Sequence, residues 1–565
     1  MKLTKWALLL VLGLLLSVVV ACSDDSSEEP AGTSEQSDEE ATEEDTTTEE
    51  GEQVLRFPNL ETIPTMDSSL ATDESSFVYL AAVTEGLYRL DDSAKTVPGI
   101  AKNHEVSEDG LTWTFNLRED AVWSNGDPVT AHDFVYAWQR AVDPEVGSEY
   151  GPYMMSGVIK NATEVSEGEA SPEELGVKAK DDYTFVVELE NPTPYFESLT
   201  TFGTFFPLNQ EFVEEQGDKY ATSADTLLSN GPYKMTNWES TSNSWELVKN
   251  EDYWDAEAVN LDKLAFEVIQ DPQTGVDLYE SGELARADLS SDLVDQYVTH
   301  EDYKVTADTF VYFIKFNQEA NEALANKNIR AALSRAFNKQ ALVDEILNNG
   351  SLVANGLVPA DFTPMPETGE DFRAVSGDLV TYDLEAAQEY WEKGLEELGT
   401  DSIELELLTD DDETTKLMVD YIRNQLATNL EGLTINLKQV PKEQRLDLDN
   451  KMDYEVQVSR WGPDFLDPFT YMNLWTTDSG NNKMGYSNSE YDRLVEETAT
   501  TLASDNVARY ENFLEAEKIL FEDAAIAPIY QASRAQLVSP KVEGVHVNPF
   551  GATYEYKWAK VGSAE

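Results

Sequence analysis

Cysteine is almost absent: Cys22 stands alone in 565 residues. A lone thiol excludes an internal disulfide and any metal site built from several thiolates. Histidine is nearly as scarce, with only His104, His132, His300 and His546. No HExxH pair, phosphate-binding Walker loop or GxSxG elbow accompanies them, so the motifs of zinc peptidases, nucleotide hydrolases and α/β-hydrolases are missing. Positive charge is the third shortage. The chain has 39 Lys and Arg against 109 Asp and Glu, a formal charge of −70. Phosphate would be repelled, which excludes nucleic acid as a partner.

Lys2 and Lys5 precede an apolar run, "WALLLVLGLLLSVVVA", from Trp6 to Ala21. The run falls short of the ~20 residues of a typical spanning helix and reads as an export signal. "VVAC" resembles a bacterial lipobox, which implies cleavage before Cys22 and lipidation of its thiol. Each acyl methylene buried in the membrane would contribute about 0.8 kcal/mol. Residues 22–53 follow as an acidic tether. From Ser23 to Gln53 it carries fourteen Asp and Glu and no Lys, Arg or aromatic residue, too little apolar surface to fold and too much like charge to collapse. Setting aside those fourteen acids and the two leading lysines leaves −58 on residues 54–565. Such a surface suits high salt or alkaline surroundings.

Beyond Val54 the composition is globular. Period-two alternation predicts strands in Leu111–Asp120, Tyr183–Glu190, Ser244–Asn250 and Val311–Asn317. Helical spacing predicts a helix over Asn328–Phe337, then a second one capped by Asn338, carrying Leu342, Val343, Ile346 and Leu347 and ending near Gly350. A third helix, Val507–Phe521, would set Val507, Tyr510, Leu514 and Phe521 on one face. Strands and helices mix without a short repeat, which indicates an α/β protein of two or three domains.

Candidate chemistry is sparse. His132 fits a structural place near a helix start, and the acids of "TDDDET", Thr409 to Thr414, lack the spacing of a calcium loop. The stretch "RWGPDFLDPF", Arg460 to Phe469, sets Asp464 and Asp467 among rings and prolines. A carboxylate in apolar company needs either water or a cation. Either both acids are solvated at a turn, or one of them waits for a positive group. A glycosidase-like acid pair is the enzymatic alternative, with no nucleophile–base set to support it.

The segment "GIAKNHEVSEDGLTWTFNLREDAVWSNGDPVTAHDFVYAWQRAVDP", Gly99 to Pro144, closely resembles the signature region of the family 5 extracellular solute-binding proteins. These are the oligopeptide- and dipeptide-binding components of ABC importers. "NGPYKMTNW", "NIRAALSRAFNKQAL", "RWGPDFLDPFTYMNLW" and "EAEKILFEDAAIAPIY" continue the resemblance in order. It implies a two-lobed α/β fold of the periplasmic-binding-protein type, with an extra inserted domain and a hinge between the lobes. Lobe I would comprise 54–84, 209–308 and 529–565, with an inserted subdomain at 85–208; lobe II would be 309–528.

The resemblance also implies site residues. The aspartate of the Trp-x-x-Asp pattern, Asp464 after Trp461, would receive the α-ammonium of a bound peptide. Main-chain groups of Ala71, Thr72, Asp73 and Glu74 in one lobe, and of Arg460, Trp461 and Gly462 in the other, would pair with the ligand as an added strand, and Tyr150 would touch it. Gln531 and Ala532 would alter one pocket wall. The implied protein is a monomeric, lipid-anchored, extracytoplasmic receptor, as on a Gram-positive surface. It would hand oligopeptides to an ABC permease and its ATPase subunits, with no catalytic residues, cofactor or metal. The alternatives are a family 5 receptor for another solute, such as a signalling peptide, a dipeptide or an oligosaccharide, and an acid/base hydrolase.

Overall fold

The computed structural model describes residues 53–562; the apolar leader, Cys22 and the tether up to Glu52 lie outside them. Among the described residues no helix is long and apolar enough to cross a membrane.

The expected strand at residues 111–120 forms as Thr112–Leu117. It pairs antiparallel with Thr184–Glu188, setting Phe115 opposite Phe185 with ring centroids 6.1 Å apart. Cross-strand aromatic pairs of this kind hold register. Ala101–Val106 and Val177–Asp181 flank them to complete a four-stranded antiparallel sheet. A second four-stranded sheet orders Val54–Asn59, Lys263–Val268, Ser244–Lys249 and Tyr233–Thr236. Both sheets feed one continuous core, from Leu55 through Trp138 and Trp245 to Phe266, which Phe465 and Tyr556 enter from distant parts of the chain.

The largest sheet has seven strands. At its centre the long strands Ile526–Val538 and Tyr303–Phe316 run antiparallel. Val456–Trp461 pairs with Tyr303–Phe316 on its other side, then Ile403–Asp410 and Leu433–Val440 follow in parallel. Val311, Phe313, Ile314 and Phe316 are all buried, as a strand with a neighbour on each edge and cover on both faces requires. Two further cores lie against this sheet, one around Ile314, Leu333 and Ile422 and one around Phe313, Trp475 and Phe513. The two long strands then continue past a register break between Ala307 and Val311 to a small core at Val276, Ala287 and Leu537. The molecule is thus a two-lobed α/β protein joined in part by a bulged two-stranded ribbon, and a bulge is where a ribbon bends.

The second predicted helix forms with a wider turn than expected. Asn338 caps it, accepting from the Ala341 N–H at 3.1 Å, and from Leu342 to Leu347 the turn widens to a π-helix that ends at Asn348 in the left-handed conformation, two residues before Gly350. In the helix Asn506–Glu522, Val507 and Leu514 are only half-buried. The inward face instead includes Arg509 and Glu517, both wholly buried. These two charges find partners in Asp467 and Arg373, so an apolar pattern alone could not reveal that face.

Candidate functional site

The question posed by Asp464 and Asp467 has a divided answer. Asp467 is engaged internally: Arg509 donates Nη1 to Oδ2 at 2.9 Å and Nη2 to Oδ1 at 3.0 Å, a fork that satisfies both charges. Asp464 has no such partner. It is 7% exposed, its Oδ2 is buried without a hydrogen bond, and no cation pairs with it among the described residues. Burial pushes its carboxyl up to about 7, with only the nearby Tyr153 hydroxyl pulling the other way. That hydroxyl lies close to the carboxylate yet is itself left without a hydrogen bond of acceptable geometry. An unpaired buried carboxylate is costly and accepts a cation readily.

Local sequence explains the placement. Val456–Trp461 ends where Gly462-Pro463 turns the chain, and the Asp464 N–H donates to the Thr470 hydroxyl at 3.2 Å. Gly462 is required by a close approach: a Cβ there would stand 2.5 Å from the Phe310 ring. Gly462→Ala should therefore cost about 1–3 kcal/mol of stability through overpacking. A lowered urea midpoint would show it, and an unchanged midpoint would mean the ring yields freely.

Aromatic rings wall the site. The short helix Tyr150–Met155 presents Tyr150 and Tyr153 three residues apart. It can sit against the helix Ala131–Val142 because Gly151 has no Cβ, which would fall 1.6 Å from the Ala141 carbonyl oxygen. Tyr150 stacks on Phe202 at 5.7 Å, and Tyr153 meets the Trp461 ring edge-on at 6.0 Å. Tyr195 stacks on Phe465 at 4.5 Å, and the Gly551 N–H reaches the Pro463 carbonyl at 3.0 Å. The 461–469 segment is thus pressed against the first core, and Asp464 is buried there.

The strand leading to Asp464 also has an open edge. Val456 and Gln457 pair with Leu407 and Leu408, but from Val458 to Trp461 the strand is paired only with Val311–Ile314. No main-chain partner occupies the other side among the described residues. A free strand edge is a template for an extended segment. Ala71 and Thr72 are likewise outside helix and strand, and Asp73 is extended.

The chain matches the sequence model of the bacterial extracellular solute-binding proteins, family 5 Middle, over residues 95–483. It belongs to that family. A dipeptide-binding protein of Lactococcus lactis is 35% identical over 513 residues, spanning 88% of this chain and 92% of the relative. The structure of Listeria monocytogenes OppA bound to peptide is 42% identical and covers 91% of this chain and 100% of its own, with a TM-score of 0.84. The substrate-binding domain of an oligopeptide ABC transporter from Bacillus anthracis is 39% identical over 91% and 99%, with a TM-score of 0.85.

Within this family 5 fold the expected site residues are not all equivalent. Arg460, Trp461, Gly462 and Asp464 follow one another in the chain, and Tyr150 lies near enough to Asp464 to feel its charge. Asp73 turns its carboxylate into its own helix, accepting from Ser76 N at 3.1 Å and Ser76 Oγ at 2.9 Å. Glu74 is already helical, so the extended stretch stops at Asp73. Burial alone would raise the Glu74 carboxyl, but Arg534 at 3.2 Å and the Thr553 hydroxyl outweigh it and hold it below the usual range. Gln531 is buried, and its amide nitrogen donates to the Asp308 and Ala360 carbonyls at 2.9 and 3.2 Å. Tyr153 and Thr470 were not anticipated. The repeat of Tyr in "YGPY" was the available signal for the first.

Proposed function

We propose that this chain is a lipid-anchored receptor that captures oligopeptides outside the membrane and delivers them to an ABC permease, without covalent chemistry. The observation that carries the reading is Asp464: a carboxylate buried among aromatic rings, with no cation paired to it among the described residues, just past the end of a strand whose edge is open. A peptide supplies both missing partners. Its α-ammonium pairs with Asp464, and its main chain adds a strand along Val458–Trp461, so side-chain identity counts for little in that pairing. Tyr150, and the backbone from Ala71 to Asp73, would face it from the other lobe. The lobes we assign are 54–84, 209–308 and 529–565, carrying the subdomain 85–208, against 309–528; the bulged ribbon at 307–311 is the hinge. The names of the relatives support peptides as cargo, and "VVAC" with the acidic segment 22–53 supports lipidation at Cys22 and a tether.

Mass spectrometry of whatever remains bound after purification tests this. Peptides with free amino termini are expected. A sugar oligomer stacked on the cleft rings, or hydrolysis of labelled peptides by the pure protein, would contradict it.

A further inference from the structure

Three side chains form a row across the central sheet. Tyr530 and Tyr312 are register partners, stacked with centroids 4.4 Å apart and planes at 11°. Tyr312 and Arg460 are register partners in turn, and the Arg460 Nη1 donates to the Tyr312 hydroxyl at 2.7 Å. Residues directly opposite one another on adjacent strands share a face. The next position in the row lies beyond Arg460, on the open edge of Val456–Trp461.

Arg460 is unusually placed for this chain. Acids outnumber basic residues by 109 to 39, yet no carboxylate pairs with it among the described residues. The two acids that act on it from further away are already held, Glu74 by Arg534 at 3.2 Å and Glu61 by Lys442 at 3.1 Å. Its guanidinium lies 5.7 Å from the ring centroids of both Phe310 and Tyr312, which fix its plane. Tyr312 accepts one of its five N–H donors, and the Arg460 side chain is otherwise exposed.

From this row we infer that Arg460 is a specificity-determining residue: it pairs with a carboxylate of the bound peptide, carried by the residue that occupies the position opposite it. The inference rests on the peptide-receptor reading above and adds a side-chain preference to a mode of binding that is otherwise blind to sequence. A carboxylate entering so acidic a protein is repelled nearly everywhere, so a lone unpaired guanidinium selects sharply. The same chemistry has two sources, an Asp or Glu side chain and the terminal carboxylate of a peptide short enough to end there.

The probes are alanine pentapeptides with a free amino terminus and an amidated carboxyl end, carrying Glu or its neutral isostere Gln at each position in turn. A second arm compares all-alanine peptides of two to five residues with free and amidated ends. Calorimetry against wild type should show one position where Glu binds about tenfold more tightly than Gln, the lower bound for a charge-assisted hydrogen bond. That ratio should fall to about one in Arg460→Gln and be partly kept in Arg460→Lys. Because the ratio compares two peptides on one protein, general damage by the substitution cancels. If instead a free terminal carboxylate gives an Arg460-dependent gain at one peptide length, the carboxylate is the terminal one. Peptides that bind with no charge preference in wild type, or a preference unchanged in both variants, would overturn the inference while leaving peptide capture intact. Failure of every peptide to bind would overturn capture and with it the inference.

Discussion

Replacing Asp464 by Ala should weaken binding of a peptide with a free amino terminus by about 2–5 kcal/mol, or about 30-fold to several thousandfold. The size follows from where the ammonium ends up. Asp464 is 7% exposed and lies near Tyr150, Tyr153 and Tyr471, which feel its charge, so little water reaches the site to replace the lost carboxylate. The substitution therefore leaves a desolvated cation unpaired, a larger cost than losing an exposed ion pair, which contributes only about 0–1 kcal/mol. The comparison also separates the two acids of the segment. Asp467 is spent on Arg509, so its carboxylate is not available to take over. An affinity within a factor of two of wild type would refute the anchoring role.

The second large effect is on closure of the empty protein. Burial in the closed form pushes Asp464 up to about 7, against 3.8 for a solvated aspartate. With no guest, closing between these values means taking up a proton. Above about 7 it means burying a bare charge. The gap corresponds to about 4 kcal/mol against empty closure at and above neutral pH. The sign follows from proton binding. The closed form holds a proton that the open form has released between about pH 4 and 7, so acid favours closing and rising pH opposes it. The closed fraction of ligand-free protein, followed by the radius of gyration in solution scattering, should rise as pH falls from 8 toward 4. In Asp464→Asn that dependence should flatten. A ligand-free closed fraction independent of pH in wild type would contradict the account. A carboxylate of this kind makes the cleft reluctant to shut on water and ready to shut on an amine, which is a useful bias for a receptor that must signal occupancy by its shape.

Much of this was legible in the chain. The alternations around Trp113 to Leu117 and Trp245 to Leu247 gave strands, because each buries one face more than the other; Phe185 to Val187 is a strand as well, although Val186 is buried along with its neighbours. The contiguous pattern Trp461-Gly462-Pro463-Asp464 singled out Asp464, through the family resemblance, as the acid to follow. What stayed hidden is what long-range packing creates. The buried places of Arg509 and Glu517 depend on Asp467 and Arg373, which arrive from elsewhere in the chain. Tyr153 gains meaning only when its short helix is laid against Trp461. The row Tyr530, Tyr312, Arg460 depends on the register of three strands far apart in sequence, including a bulge that no local propensity announces. The π-helical turn at Leu342–Leu347 likewise departs from a spacing that reads as ordinary helix.

One measurement bears most directly on the central claim that Asp464 receives the amino terminus of a peptide. A single peptide is titrated calorimetrically with its amino group free and acetylated, against wild type and Asp464→Asn. The account predicts that acetylation costs wild type about 2–5 kcal/mol and the variant almost nothing, because both changes remove the same pair. An acetylation penalty of equal size in the two proteins would place the ammonium elsewhere and contradict the account.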